Sequence, residues 1–237
     1  MSFKGKKVFG LIPARGGSKG ILDKNIYPVG NKLLIDFTID AAKDSHNIDH
    51  IFVSTDSKKI LDHARSKEVK TIIRPDVLAN DNSTAVDVVK HFYHSLYELG
   101  LLTEGEDFYL CYLQPTSPLR NNKVINQSFN FLEQTKASSL VSLVENKHTP
   151  YKSFTINQEG LAKSLFKESY TNQNRQSLDR TYRANGAIYT FLISTFISND
   201  GFPSNKSVAF VMDDIDSLDI DSYDDIDALE LLLSTQI

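Results

Sequence analysis

Apolar residues in this chain follow two rhythms that alternate up to about position 144. Short runs such as Val8-Phe9, Leu11-Ile12 and Ile51-Phe52-Val53 are closed by Pro, Gly, Ser or Asp, and they predict buried strands. Between them apolar positions recur every three or four residues and predict helices. The pattern predicts strands at about 6–12, 50–54, 70–73, 108–113 and 139–144, with helices at about 33–44, 57–67, 83–99 and 123–134. Strands buried on both faces and joined through helices build a mostly parallel sheet, so the expected fold class is α/β. Such sheets gather ligands at the carboxyl ends of their strands. The polar clusters Arg15-Gly16-Gly17-Ser18-Lys19, Ser54-Thr55-Asp56 and Gln114-Pro115-Thr116-Ser117 all follow predicted strands.

From 145 to 183 the alternation fails and Asn, Gln, Ser, Lys and Tyr dominate. A structureless loop of that length is unusual inside a compact domain. The segment is therefore expected to be an excursion with short strands near 152–156 and 162–166, covering a site or meeting a second subunit. Strands at 185–192 and 208–212 and a closing helix at 223–233 resume the pattern, so residues 1–237 are expected to form one domain carrying this insert.

Composition narrows the class. At 237 residues and 41% apolar content the chain has enough material for one sizeable core. No window approaches the roughly 18 to 20 consecutive apolar residues of a membrane span, and Met1 to Lys7 lacks the apolar stretch of a leader, which leads us to expect a soluble cytoplasmic protein without a membrane partner. Cys111 is the single cysteine, so neither an internal disulfide nor a thiolate zinc site is expected, and any metal must take oxygen or nitrogen ligands. The net charge of −4 suggests no nucleic-acid partner, but it hides an asymmetry. Eight aspartates fall between Asp213 and Asp227; setting them aside turns −4 into +4. The first thirty residues are basic, with Lys4, Lys6, Lys7, Arg15, Lys19 and Lys24 against Asp23.

Arg15 to Gly20 after a strand brings backbone amides and cations to where a phosphate can sit. Neither the Walker A nor the Gly-x-Gly-x-x-Gly spacing is present. Gly16 to Gly20 does match Gly-x-Ser-x-Gly, the elbow of serine hydrolases, but that elbow runs straight into a helix and none is predicted before about Leu33. Asp219 and Asp221 share one face of an extended segment, close enough to hold a hard divalent cation, but spacing alone favours a solvated acidic turn in which Asp221 or Ser222 caps the closing helix. An EF-hand is excluded, because the glycine position is taken by Asp224. Arg175, Arg180 and Arg183 suit either a carboxylate ligand or a solvated surface. His91 and His94 read as packing or surface residues.

Taken in order, Ile12 to Ile21, Lys24-Asn25, Ser54 to Asp56, Arg74-Pro75, Gln114 to Arg120, Asn185 to Tyr189 and Leu218 to Asp221 resemble the CMP-sialic acid synthetases, or N-acylneuraminate cytidylyltransferases, over nearly the whole chain. The resemblance implies a Rossmann-like nucleotidyltransferase fold, a homodimer contacting through the 145–183 excursion, and transfer of CMP from CTP to a nine-carbon 2-keto sugar acid with Mg²⁺. N-acetylneuraminate is the sugar expected first, with legionaminic or pseudaminic acid as alternatives. By resemblance Arg15, Ser18 and Lys24 hold the phosphates, Asn25 the ribose and Arg74 the base region, with Arg15 and Lys24 catalytic. Gln114, Lys152, Arg175, Asn185 and Tyr189 fall on the sugar side, and Asp219 and Asp221 bind the metal. The chain departs from the family pattern at Ala184 and Asp179, where proline is common, and at Leu22-Asp23. A serine hydrolase built on Ser18 and a non-catalytic nucleotide- or Ca²⁺-binding module are the rivals from other classes.

Overall fold

The computed structural model describes residues 3–235. Strand β1 (Val8–Pro13) opens the chain, followed by a small hairpin of β2 (Pro28–Val29) and β3 (Lys32–Leu33) and helix α1 (Leu34–Lys43). Next come β4 (His50–Thr55), α2 (Lys58–Ser66), β5 (Lys70–Ile73), α3 (Ala85–Glu98), β6 (Tyr109–Tyr112), α4 (Asn122–Glu133) and β7 (Ser139–Glu145). An excursion carries β8 (Phe154–Ile156), β9 (Ala162–Ser164) and α5 (Glu168–Thr171) before the long β10 (Tyr182–Leu192). Helix α6 (Ile193–Ser198), β11 (Val208–Val211) and α7 (Tyr223–Ser234) complete it.

Seven strands form one sheet in the order β11-β7-β10-β6-β1-β4-β5. All neighbours pair in parallel except β10, which runs antiparallel to both β6 and β7. The mostly parallel α/β sheet is thus as the hydrophobic rhythm predicts. The strand expected at 185–192 is present as β10, but nothing in the apolar rhythm gives its antiparallel direction, and the short helices α5 and α6 carry no rhythm that would have revealed them. Tyr182 and Arg183, read from the sequence as part of the excursion, already belong to β10, where they pair with Glu145 and Val144.

Alternating residues of the strands feed two cores. Val8 and Ile12 of β1 and Cys111 of β6 pack with Ile35 and Ile39 of α1 and Phe129 of α4, while Phe9, Leu11 and Leu110 pack on the other face with Val89, Phe92 and Leu96 of α3. A third cluster joins Ile21, Leu34, Leu119 and Ile220 to Ile226 and Leu229 of α7. It holds the loop after β1, the loop after β6 and the acidic segment together.

The chain leaves β1 toward β4 and β5 on one side, then returns to β6 on the other. The order of strands therefore reverses between β1 and β6, and a crevice opens at their carboxyl ends.

Helix α1 is seated by a buried carboxylate. Asp36 accepts from the Leu33 amide at 2.9 Å, lies 2.7 Å from His63 Nε2 and pairs with Lys67 at 3.4 Å. Burial pushes the Asp36 carboxyl up, but the His63 hydrogen bond, the Leu33 amide and the nearby cations outweigh it and hold the group below its ordinary value of 3.8. A carboxyl lowered by folding contributes stability that is full above the unfolded value and is lost as pH falls through the folded one. Asp36→Asn should thus cost about 1–3 kcal/mol at pH 7, and the gap to the parent should narrow below pH of about 4. Urea unfolding at pH 7 and pH 3 measures both.

Candidate active site

The crevice is a cleft of about 370 Å³. Pro13 and Arg15 enter it from the end of β1, Arg74 from the end of β5, and Tyr112, Gln114 and Thr116 from the end of β6. Ser83, Thr84 and Ala85 add the amino-terminal end of α3. Lys24 and Asn25 come from the loop after β1, and Asp219 and Asp221 from the segment before α7.

Each side chain is aimed by a local partner. The β1 loop is tethered twice: the Gly16 amide donates to Asp56 Oδ1 at 2.9 Å, and Asn25 Nδ2 donates to the Arg15 carbonyl at 2.9 Å. Arg74 is buried and donates from Nη2 to the Ser54 carbonyl at 2.9 Å. Burial pushes its guanidinium down from its ordinary value, with Tyr112 and Asp56 opposing. Arg15 and Lys19 both reach Asp81, at 3.1 and 2.8 Å. Lys19 and Arg15 hold the Asp81 carboxyl below its usual range.

The basic start and acidic end of the chain meet at Lys24. Its Nζ donates to the Ile220 carbonyl at 2.7 Å and to Asp221 Oδ1 at 3.0 Å. The Ile220 amide donates to the Thr116 carbonyl at 2.9 Å, and the Ile220 side chain is fully buried. These contacts fasten the loops after β1 and β6 to the acidic segment. Packing around Asp219 raises its carboxyl above the ordinary range; Asp221 adds to this, while Thr116 and Lys24 oppose it. Two neighbouring carboxylates beside a basic loop suit a hard cation.

Other aspartates of the cluster have local duties. Asp225 accepts from the amides of Ser222 and Asp221, at 2.8 and 3.0 Å, and Ser222 is the N-cap of α7. Asp213 accepts from the Asp216 amide at 2.8 Å, and Asp214 pairs with Lys147 at 3.1 Å. Asp23, which the sequence leaves unexplained, pairs with Lys59 at 2.9 Å and takes a left-handed conformation, φ 51°, ahead of the turn at Lys24–Ile26. That short turn, and the absence of a helix before α1, deny the Gly16–Gly20 segment the strand-to-helix elbow of a serine hydrolase.

A second cavity, about 440 Å³, opens beside the cleft and shares Ala85, Tyr112 and Gln114 with it. Tyr189, Val141, Leu143, Ala184 and Phe202 form much of its wall. Its shape depends on an irregularity in β10, where the register with β7 breaks between Ala184 and Tyr189. Gly186 at φ 77° lies within this break, and a Cβ there would collide with the Gln114 amide.

Asn185 does not line either space. It is buried in the same break, accepting from Ser142 Oγ at 2.6 Å and donating to Ser217 Oγ at 2.9 Å, so it joins β7, β10 and the acidic segment. Arg120, fully buried, donates to the Ala187 carbonyl at 3.0 Å and to Thr38 Oγ1 at 2.6 Å. Burial pushes its guanidinium down to about 10, and its Nε lacks a hydrogen-bond partner.

The structure brings Arg15, Ser18, Lys24, Asn25, Arg74, Gln114, Asp219 and Asp221 to one cleft, and Tyr189 to the adjoining cavity. Lys152 and Arg175 are elsewhere. Lys152 ends the turn at Pro150–Lys152, and Arg175 lines a separate space with Lys147, Asp213 and Asp214. Sequence reasoning missed Ser83, Thr84, Tyr112 and Phe202. Thr84 had a readable signal, its reciprocal cap with Asp87, whereas Tyr112 and Phe202 look like ordinary core aromatics.

A family model described as Cytidylyltransferase matches residues 9–209. The chain belongs to the cytidylyltransferase family. It is 31% identical over 221 residues to the N-acylneuraminate cytidylyltransferase of Escherichia coli O18:K1:H7, covering 93% of this chain and 51% of that protein. It is 29% identical over 229 residues to the CMP-N,N'-diacetyllegionaminic acid synthase of Campylobacter jejuni, covering 94% and 93%. The chain thus spans about half the length of the first of these relatives. Among solved structures, CMP:2-keto-3-deoxy-manno-octonic acid synthetase complexed with CTP superposes with a TM-score of 0.67 at 14% identity, over 98% of this chain and all of that one. This likeness concerns the fold.

Gly20 tests how tightly the cleft is assembled. A Cβ on Gly20 would strike the Asp221 carbonyl, a backbone atom that cannot swing aside. Gly20→Ala should cost about 1–3 kcal/mol in denaturant unfolding, through displacement of the acidic segment. An unchanged midpoint would show that the segment moves freely.

Proposed function

We propose that this chain transfers CMP from CTP to the anomeric hydroxyl of a nine-carbon 2-keto sugar acid and releases pyrophosphate. The carrying observation is the shared cleft, in which a tethered basic loop and a pair of carboxylates meet beside a second cavity large enough for a sugar. Arg15, Ser18 and Lys24 take the triphosphate, Asn25 the ribose side and Arg74 the base side. The sugar oxygen attacks the α-phosphorus, its bond forms as the bond to pyrophosphate breaks, and the hydroxyl proton passes to solvent water. Negative charge gathers on the phosphoryl and leaving oxygens, and Arg15 and Lys24 stabilise it where it develops.

Asp219 and Asp221 present hard oxygen donors to the same cleft. Among the described residues no group of three or more His, Cys, Asp or Glu gathers for a metal. Asp219 and Asp221 would hold a cation here, and so few protein carboxylates are in keeping with the way Mg²⁺ is usually bound. Bound there it would offset the charge of the phosphates. Gln114 and Tyr189 face the sugar, whereas Asn185 serves by shaping the break in β10 that positions both.

Lys152 and Arg175 have a role on the sugar side if two copies associate through residues 145–183, each lending these side chains to its neighbour. The excursion favours this. Phe154, Ile156, Leu161 and Leu165 are 53, 75, 61 and 56% exposed, an apolar surface of the kind that marks a protein contact. We read a homodimer of one cytidylyltransferase domain, acting in the cytoplasm; no helix among the described residues is long and apolar enough to cross a membrane.

Pyrophosphate release from CTP with nine-carbon sugar acids and Mg²⁺ tests the reaction. CTP binding without release for any acid would favour a binding module. Asp221→Ala should remove turnover at saturating Mg²⁺ with the circular dichroism spectrum retained, and near-parental rates would remove the metal assignment. Ile156→Glu should convert a dimer to a monomer by light scattering; a chain already monomeric at assay concentration would remove the shared-site reading.

A further inference from the structure

The cleft and the second cavity meet at Tyr112, Gln114 and Ala85. A sugar acid whose reacting end lies near Lys24 and the acidic segment extends its far end past Gln114 into the second cavity. That cavity offers a narrow chemistry. Val141 and Leu143 of β7, Ala184 of β10, and Phe202 and Pro203 give it a largely apolar wall. Phe202 meets the rings of Tyr112 and Tyr189 edge-on, both at 5.3 Å. Among the described residues no charged side chain lines the space, and the polar side chains are Tyr112, Tyr189, Gln114 and Ser204.

Nine-carbon 2-keto sugar acids divide at the far end. One class carries a three-carbon tail with three free hydroxyls. Another ends in a methyl group and replaces a tail hydroxyl with a second acylamido group, leaving one hydroxyl free. Each hydroxyl moved from water against an apolar wall without a partner is penalised, whereas a methyl gains from the same transfer. Two tyrosine hydroxyls, one amide and one serine can serve two amides and a hydroxyl, and the aliphatic wall receives the methyl groups.

We propose, on the reading of the preceding subsection, that the second cavity selects nine-carbon 2-keto sugar acids of the 9-deoxy, 5,7-di-acylamido class over those with a fully hydroxylated tail. This departs from N-acetylneuraminate, the sugar the sequence puts first. Val141 is the residue whose change reads the contact, because threonine keeps its shape and adds a hydroxyl to the wall.

The test measures pyrophosphate release with saturating CTP and Mg²⁺ for N-acetylneuraminate, N,N'-diacetyllegionaminic acid and the di-N-acetyl form of pseudaminic acid. The better of the two di-acylamido acids should exceed N-acetylneuraminate in kcat/KM by about 10- to 100-fold, the range an apolar pocket achieves against added hydroxyls. Val141→Thr should reduce that ratio by at least about threefold. A ratio of one or less, with turnover present, overturns the proposal. A high ratio unmoved by Val141→Thr also overturns it, since the discrimination would then arise outside this cavity. No release with any acid overturns the transfer reading and this proposal with it.

Discussion

The Lys24 ammonium is the point on which the site turns. It belongs to the loop after β1, yet its hydrogen bonds end on Ile220 and Asp221, almost two hundred residues later. A lysine that is mostly covered needs acceptors, and the acidic segment needs a cation beside it, so each makes the position of the other favourable. The buried Ile220 side chain and its amide bond to Thr116 add the apolar and backbone halves of the same fastening. With it in place, three loops from distant parts of the chain share one cleft.

A second constraint sits in β10. This strand closes the parallel sheet against its grain, and opposite β7 it carries extra residues between Ala184 and Tyr189. Strands normally punish such a break with unpaired polar groups. Here Asn185 and Ser142 satisfy each other, Ser142 Oγ accepts from the Ile188 amide at 2.8 Å, and Arg120 takes the Ala187 carbonyl. Gly186 lets the backbone pass under Gln114, and Tyr189 then returns to register facing the second cavity. The polar core beneath the second cavity keeps that cavity in shape without lining it.

The two spaces divide the chemistry. The cleft collects charge of both signs, which suits a triphosphate with a cation. Among the described residues the adjoining cavity has no charged lining and is walled by aliphatic and aromatic carbon with a few neutral hydrogen-bonding groups. Tyr112 stands between them; burial raises its phenol well above the ordinary value, so it remains a neutral donor to either side.

The alternation of apolar runs determined the sheet, its helices and the end at which ligands collect, because strands buried on both faces leave a periodic record in the sequence. The family resemblance pointed to Arg15, Lys24, Asp219 and Asp221, and the fold gathers all four in one cleft. What the tertiary structure decided is which residues are spent on neighbours. Asn185 resembles a ligand contact in sequence and is consumed inside β10, while Tyr112 and Phe202 resemble core and instead wall a cavity. Arg175 and Lys152 lie on an excursion away from the cleft. A sequence lists hydrogen-bonding groups, but whether one faces a cavity or another side chain depends on register, on the break in β10 and on the crossing of loops, all set by long-range packing.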